Sequence, residues 1–147
     1  MRIDIEPSWV VAQFRARYPA ADPLELFHRI VTAARSWRGQ VEEAEARARA
    51  GHPGFVYQLD FEAAKHTDDI GFSFGTVRDP TPAQQAMSER VMAAFVRFAR
   101  TGNPGWQPYS LAKRETMIFD TNSRVENDPR KWERELFARI PYIQPGT

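Results

Sequence analysis

The sequence has no cysteine and only three histidines in 147 residues. Without cysteine there can be no disulfide, no thiolate metal site and no thiol nucleophile. His28, His52 and His66 are scattered with no metal-ligand spacing, so neither a metal nor a cofactor is expected. Long apolar runs are missing too. None approaches the roughly 20 residues that a membrane helix requires, and Met1-Arg2-Ile3-Asp4-Ile5-Glu6 mixes charges where a signal peptide needs an apolar block. The expectation is a chain with no membrane span and no visible export signal, with the cytoplasm as default compartment. Charge of one sign is also lacking. Lys and Arg number 20 against 19 Asp and Glu, a net +1, which gives no field to draw nucleic acid or an anionic membrane. There is no internal repeat and no low-complexity linker, and the length is that of one domain or part of one, 1–147.

What is present is mostly helix. Ser8 to Tyr18 places Val10, Val11, Phe14 and Tyr18 near helical spacing and stops at Pro19. Asp22-Pro23-Leu24-Glu25 joins an N-cap acceptor to a proline at the first helical position, and Leu26, Phe27, Ile30, Val31, Ala34 and Trp37 then share one face. Gln40 to Ala50 is a solvated helix with Glu43 and Glu45 each four residues before an arginine, stopped at Gly51-His52-Pro53-Gly54. Phe55 to Phe61 alternates aromatic and aliphatic residues as a strand does. A loop with Lys65-His66-Thr67-Asp68-Asp69 follows, then a turn or short irregular helix over Ile70–Gly75. Thr81-Pro82-Ala83-Gln84 starts a long helix whose buried stripe is Met87, Val91, Ala94, Phe95 and Phe98, closed by Gly102-Asn103-Pro104. Trp106, Pro108 and Tyr109 sit in a loop. Thr116–Asp120 is a strand that turns at Thr121-Asn122-Ser123 into a partner around Val125. Asp128-Pro129 caps a last helix with Trp132, Leu136, Phe137 and Ile140 inside, ending before Pro141.

The strands are too few for this pattern to fill a sheet. One strand and a hairpin cannot form an extensive sheet covered on both faces, yet Phe55–Phe61 is apolar enough for burial. The simplest account places further strands on sequence outside this chain.

His66 lies just past a strand and beside acidic residues, where α/β enzymes place reactive groups. The ordinary alternative is a surface histidine in a polar loop. The neighbouring text decides between them. Phe55–Phe61, then Lys65-His66-Thr67-Asp68-Asp69-Ile70-Gly71-Phe72-Ser73-Phe74-Gly75, then Phe98-Ala99-Arg100-Thr101-Gly102-Asn103-Pro104 resemble in order and spacing the C-terminal region of the type-B carboxylesterases, which include cholinesterases and bacterial para-nitrobenzyl esterases. In that family a VYxYxF-like strand leads into a histidine, two variable residues, an acid and an FVFG-like stretch, then a helix ending in FAxTGNP. Trp106-Gln107-Pro108-Tyr109 is similar to the family's WPxY, Thr116–Asp120 to its TMIFD-like strand, and Asn127-Asp128-Pro129 to its NDP. The likeness covers most of the chain and is weakest over the first fifty residues.

The resemblance implies an α/β-hydrolase fold with an incomplete sheet, serine ester hydrolysis, and His66 as the triad base that takes the serine proton and returns it to the leaving alkoxide. It places the nucleophile serine and the triad acid upstream of this sequence. Two positions depart from the pattern: Thr67 stands where a glycine or alanine is usual, and Ser73 where a valine-like residue is. Gly71-Phe72-Ser73-Phe74-Gly75 spells G-x-S-x-G, but an elbow needs a buried strand before it and a helix straight after, and the order serine, acid, histidine would be reversed. By the match Ser73 packs in apolar surroundings. Asp68 and Asp69 are too close to His66 in sequence to hold its ring from behind, so Asp69 is expected to order the loop. Trp37, Trp132 and the pair Phe95 and Phe98 are expected in the core, and Arg97 and Arg100 on a solvated face.

The chain is therefore expected to be the C-terminal part of a serine carboxylic-ester hydrolase, inactive alone. Its expected partners are the missing N-terminal half, in cis or in trans, and a small ester. Uncovered strand edges would favour self-association. The alternatives are a split product that binds a chain carrying the nucleophile, and a descendant that kept the packing and lost the chemistry.

Overall fold

The computed structural model describes residues 7–65 and 67–139. They divide into two compact units, one formed by residues up to Glu43 together with those from Arg130 onward, the other by Ala44–Pro129.

The first unit is helical: α1 (Pro7–Arg17), α2 (Pro23–Val31), a π-helical stretch (Thr32–Trp37), the first half of α3 (Arg38–Arg49) and α6 (Lys131–Phe137). Asp22 caps α2 as its sequence predicts, its Oδ1 accepting the Glu25 N–H at 2.8 Å. The core is Val10, Phe14, Leu26, Ala33, Leu136 and Phe137. Phe14 is its centre, fully buried and edge-on to Trp132 at 5.0 Å. Phe27 and Val31, expected inside, are exposed. The helix carries two adjacent apolar stripes. The one through Leu26, Ala33 and Trp37 is buried, while Leu24, Phe27 and Val31 form the other, which is exposed. Ile140 and Pro141, the expected end of the last helix, lie outside the described residues.

The second unit is built on a three-stranded mixed sheet in the order β1 (Val56–Leu59), β2 (Glu115–Phe119), β3 (Arg124–Asn127). β1 and β2 run parallel, Val56 opposite Thr116 and Leu59 opposite Phe119. β2 and β3 are the expected hairpin, Glu115 opposite Asn127 and Ile118 opposite Arg124. Parallel strands need a crossover, and α4 (Asp68–Phe74) and α5 (Pro82–Thr101) lie within it. The core joins Phe61, Phe72, Met87, Val91, Ala94, Trp106 and Phe119.

Several elements differ from expectation. β1 is four residues long and half-buried throughout, because the chain turns into a 3₁₀ turn at Phe61–Ala63. Phe95 and Phe98 are 43% and 49% exposed. The buried stripe of α5 passes through Met87, Val91 and Ala94, so these two rings sit one step round the helix, edge-on to Tyr57 and Phe55 at 5.9 Å. Asp128 does not open α6: it adopts φ +51° and donates its N–H to the Arg114 carbonyl at 3.2 Å, and the helix starts after Arg130 with no side-chain cap. Among the described residues no helix is long and apolar enough to cross a membrane, and no three His, Asp or Glu side chains are grouped as metal ligands.

Candidate functional site

The segment that holds position 66 leaves the carboxyl end of β1, the edge at which open α/β sheets bind ligands. The Asp60 N–H still follows the ladder, donating to the Phe119 carbonyl at 2.9 Å. Phe61 then turns inward, buried and edge-on to Phe72 at 5.8 Å. Between that anchor and α4 the backbone bends hard: Glu62 and Ala63 have φ +52° and +53°, and Thr67 has φ +79°. Left-handed backbone costs a non-glycine residue about 1–2 kcal/mol, and a β-branched threonine is among the least suited to it. The bend is held by contacts on both sides. Gln84 Nε2 donates to Glu62 Oε2 at 2.8 Å, tying the turn to the first turn of α5.

The two aspartates have separate tasks. Asp68 Oδ2 accepts the Lys65 N–H at 2.8 Å, and the Asp68 N–H donates back to the Lys65 carbonyl at 3.2 Å, so Asp68 ties Lys65 to the first turn of α4. Asp69, expected to order this loop, accepts the Tyr57 hydroxyl on Oδ2 at 2.8 Å, which pins the first turn of α4 to β1. Burial, then the hydrogen bond to Asp69 and that carboxylate's negative charge, push the Tyr57 phenol well above its ordinary 10.0. The phenol therefore stays protonated and donates. Tyr57 was not singled out from sequence; the alternation that faces its ring inward was legible, but the hydroxyl's partner twelve residues on was not.

α4 is seated on α5 by small residues. The Ser88 hydroxyl, buried, donates to the Phe72 carbonyl at 2.9 Å, and Gly75 at φ +65° closes the helix where a Cβ would stand 3.1 Å from Met92 Sδ. Ser73 lies inside α4, with no strand before it and no helix straight after, which is not the geometry of a nucleophile elbow. His28 and His52 are both exposed, the first on α2 and the second in the turn after α3, where its N–H donates to the Arg47 carbonyl at 2.9 Å. His66 itself lies outside the described residues. Its sequence neighbours Lys65 and Thr67 are exposed, and Asp68 and Asp69 are both already hydrogen-bonded.

No profile of a known protein family matches the chain. Individual proteins do. The para-nitrobenzyl esterase of Bacillus subtilis (strain 168) is 29% identical over 119 residues, which is 67% of this chain and 24% of that protein. Among solved structures, a Geobacillus stearothermophilus carboxylesterase superposes with a TM-score of 0.78 at 24% identity, over 92% of this chain and 32% of its own. A PNB esterase superposes at 0.69 with 28% identity, over 85% of this chain and 29% of its own. The chain thus spans about a quarter to a third of the relatives it matches. Over this stretch the chain is similar to type-B carboxylesterases, and its helices and small mixed sheet match part of their α/β-hydrolase fold.

Proposed function

We propose that this chain serves in serine ester hydrolysis, with His66 as general base and with the nucleophile serine and triad acid supplied from outside this sequence. The observation that carries the reading is the sequence likeness to an esterase at 29% identity in a region where position 66 follows the carboxyl end of a strand paired in parallel. In the complete site the imidazole takes the serine proton as the hydroxyl attacks the ester carbonyl, then gives it to the departing alkoxide. It next activates water to release the acid. The role of Asp68 and Tyr57–Asp69 is to fix the backbone on either side of the base.

A fragment that binds a chain carrying the nucleophile half is the second reading, favoured by the exposed rings of Phe74, Phe95 and Phe98 beside a β1 that pairs, among the described residues, only with β2. A chromogenic short-chain ester tests both. The chain alone should hydrolyse it no faster than free imidazole at equal concentration. With an N-terminal half supplied, turnover should appear and fall about 10⁴-fold or more in His66→Ala, while His28→Ala and His52→Ala leave kcat nearly unchanged. A restored enzyme whose kcat survives His66→Ala would overturn the assignment of the base.

A further inference from the structure

We propose that the groove between α5 and the β2–β3 turn is a binding site for an amphiphilic carboxylate, distinct from the His66 segment and independent of the esterase reading. The groove has a volume of about 580 Å³, within the range of small-molecule pockets. Its floor is apolar. Trp106 and Phe119 are buried, with their rings edge-on at 6.0 Å, and Met117 continues the surface.

Its wall is cationic. Arg90 and Arg97 both line it, seven residues apart and so on one face of α5. The Arg90 Nη1 donates to the Asp120 carbonyl at 3.2 Å and to Ser123 Oγ at 2.9 Å, which fixes that guanidinium at the turn. Arg97 lies over Gly105, whose φ is +118° and where a Cβ would stand 3.1 Å from Arg97 Nη1. Glycine thus leaves room for the second guanidinium.

Two features point to an anionic ligand with an apolar body. No carboxylate lines the groove, α5 carries none from Arg90 to Thr101, and among the described residues neither arginine has an ion-pair partner. Two guanidinium groups facing one concavity without a counter-charge favour an anion between them, and their planar forks match a carboxylate in two-point hydrogen bonding. The floor is the buried Trp106 and Phe119 ring pair, apolar surface that an alkyl chain would cover. An inorganic anion would use the wall and leave the floor wet, whereas a carboxylate on an alkyl chain uses both.

The test is titration of the whole chain with sodium octanoate, followed by calorimetry and by the Trp106 indole N–H resonance. Octanol, with the tail alone, and sulfate, with charge alone, are the comparison probes. Saturable one-to-one binding of octanoate is expected, at least about tenfold tighter than either, and weakened about tenfold or more by Arg97→Gln, the loss of one charge-assisted contact. Gly105→Ala, which displaces the guanidinium, should weaken it as well, and Arg100→Gln, outside the groove, should not. Arg97 is exposed, so its substitution leaves the fold intact, which circular dichroism verifies. No saturable binding, equal binding of octanol or of sulfate, or an unchanged affinity in Arg97→Gln would each overturn the proposal.

Discussion

Two threonines open the two helices that follow β1, and they do so in opposite ways. Thr81 stands before α5 in extended backbone, φ −63° and ψ 160°. Its Oγ1 accepts the Gln84 N–H at 3.2 Å while Gln84 Oε1 accepts the Thr81 N–H at 3.0 Å. Thr67 stands before α4 at φ +79° and ψ −6° with no side-chain cap. The same residue type is used once where its conformation is free and its hydroxyl satisfies an orphan donor, and once where its branched Cβ opposes the backbone. Strain of this kind persists only where surrounding contacts over-determine it, and such contacts are what Asp68, Tyr57–Asp69 and Glu62–Gln84 supply. Local chemistry governs one helix start; tertiary contacts govern the other, and it is the second that borders position 66.

The sharpest way to break the contrast is to remove a contact that holds the strained side. Tyr57→Phe keeps the ring against Phe95 and Phe119 but leaves the Asp69 carboxylate without its hydroxyl donor. Chemical denaturation at neutral pH should register a loss of about 1.5–3 kcal/mol, the range for a hydrogen bond to a charged group. The pH dependence supplies a second signature. The folded phenol titrates above the unfolded one at 10.0, so its contribution is complete below pH 10 and is lost as pH rises beyond it, where only the unfolded chain ionises. Stability measured between pH 9 and pH 11 should fall in the wild type and fall less in Tyr57→Phe. Equal slopes would show that the phenol is not held by Asp69.

These two helix starts also mark how far the sequence could be read. Thr81-Pro82-Ala83-Gln84 announces its cap because every atom of the capping box lies within four residues, and the hairpin around Thr121-Asn122-Ser123 is legible for the same reason. The small sheet and its place in an α/β-hydrolase fold were likewise readable, from the Phe55–Phe61 alternation and the motifs that follow it. What could not be read depends on distant partners: the left-handed turn at Thr67, the Tyr57–Asp69 bond, and the division of labour between adjacent aspartates of identical chemistry. Phe95 and Phe98 failed for a related reason. Periodicity gives an apolar side to α5 but not its width, and the stripe that packs is set by where Phe72 and Phe119 lie.

A smaller effect tests the other side of the contrast. Thr81→Ala deletes one half of the capping box and leaves the Gln84 N–H without its acceptor, with no change in core packing, since Thr81 is exposed. The expected loss is about 1 kcal/mol, and Thr81→Asn, which retains an acceptor, should recover most of it. A loss equal in both variants would mean that the cap contributes through something other than its hydrogen bond.

The smallest change has the opposite sign. At φ +79° glycine meets none of the steric cost that threonine does, about 1–2 kcal/mol, and its extra unfolded-state freedom takes back about 0.5–1 kcal/mol. Thr67→Gly should therefore raise stability by a net amount of up to about 1.5 kcal/mol, read as a higher denaturation midpoint with an unchanged m-value. Thr67→Ala removes the branch but keeps a Cβ, and should gain less. Asp68 still accepts the Lys65 N–H in both variants, so the gain isolates backbone strain from the hydrogen bonding that opposes it. If Thr67→Gly were neutral or destabilising while Thr67→Ala gained, the threonine would be held by a contact of its methyl or hydroxyl rather than tolerated. The contrast with Thr81 would then be between two favourable caps of different geometry, and the argument for stored strain beside position 66 would fail.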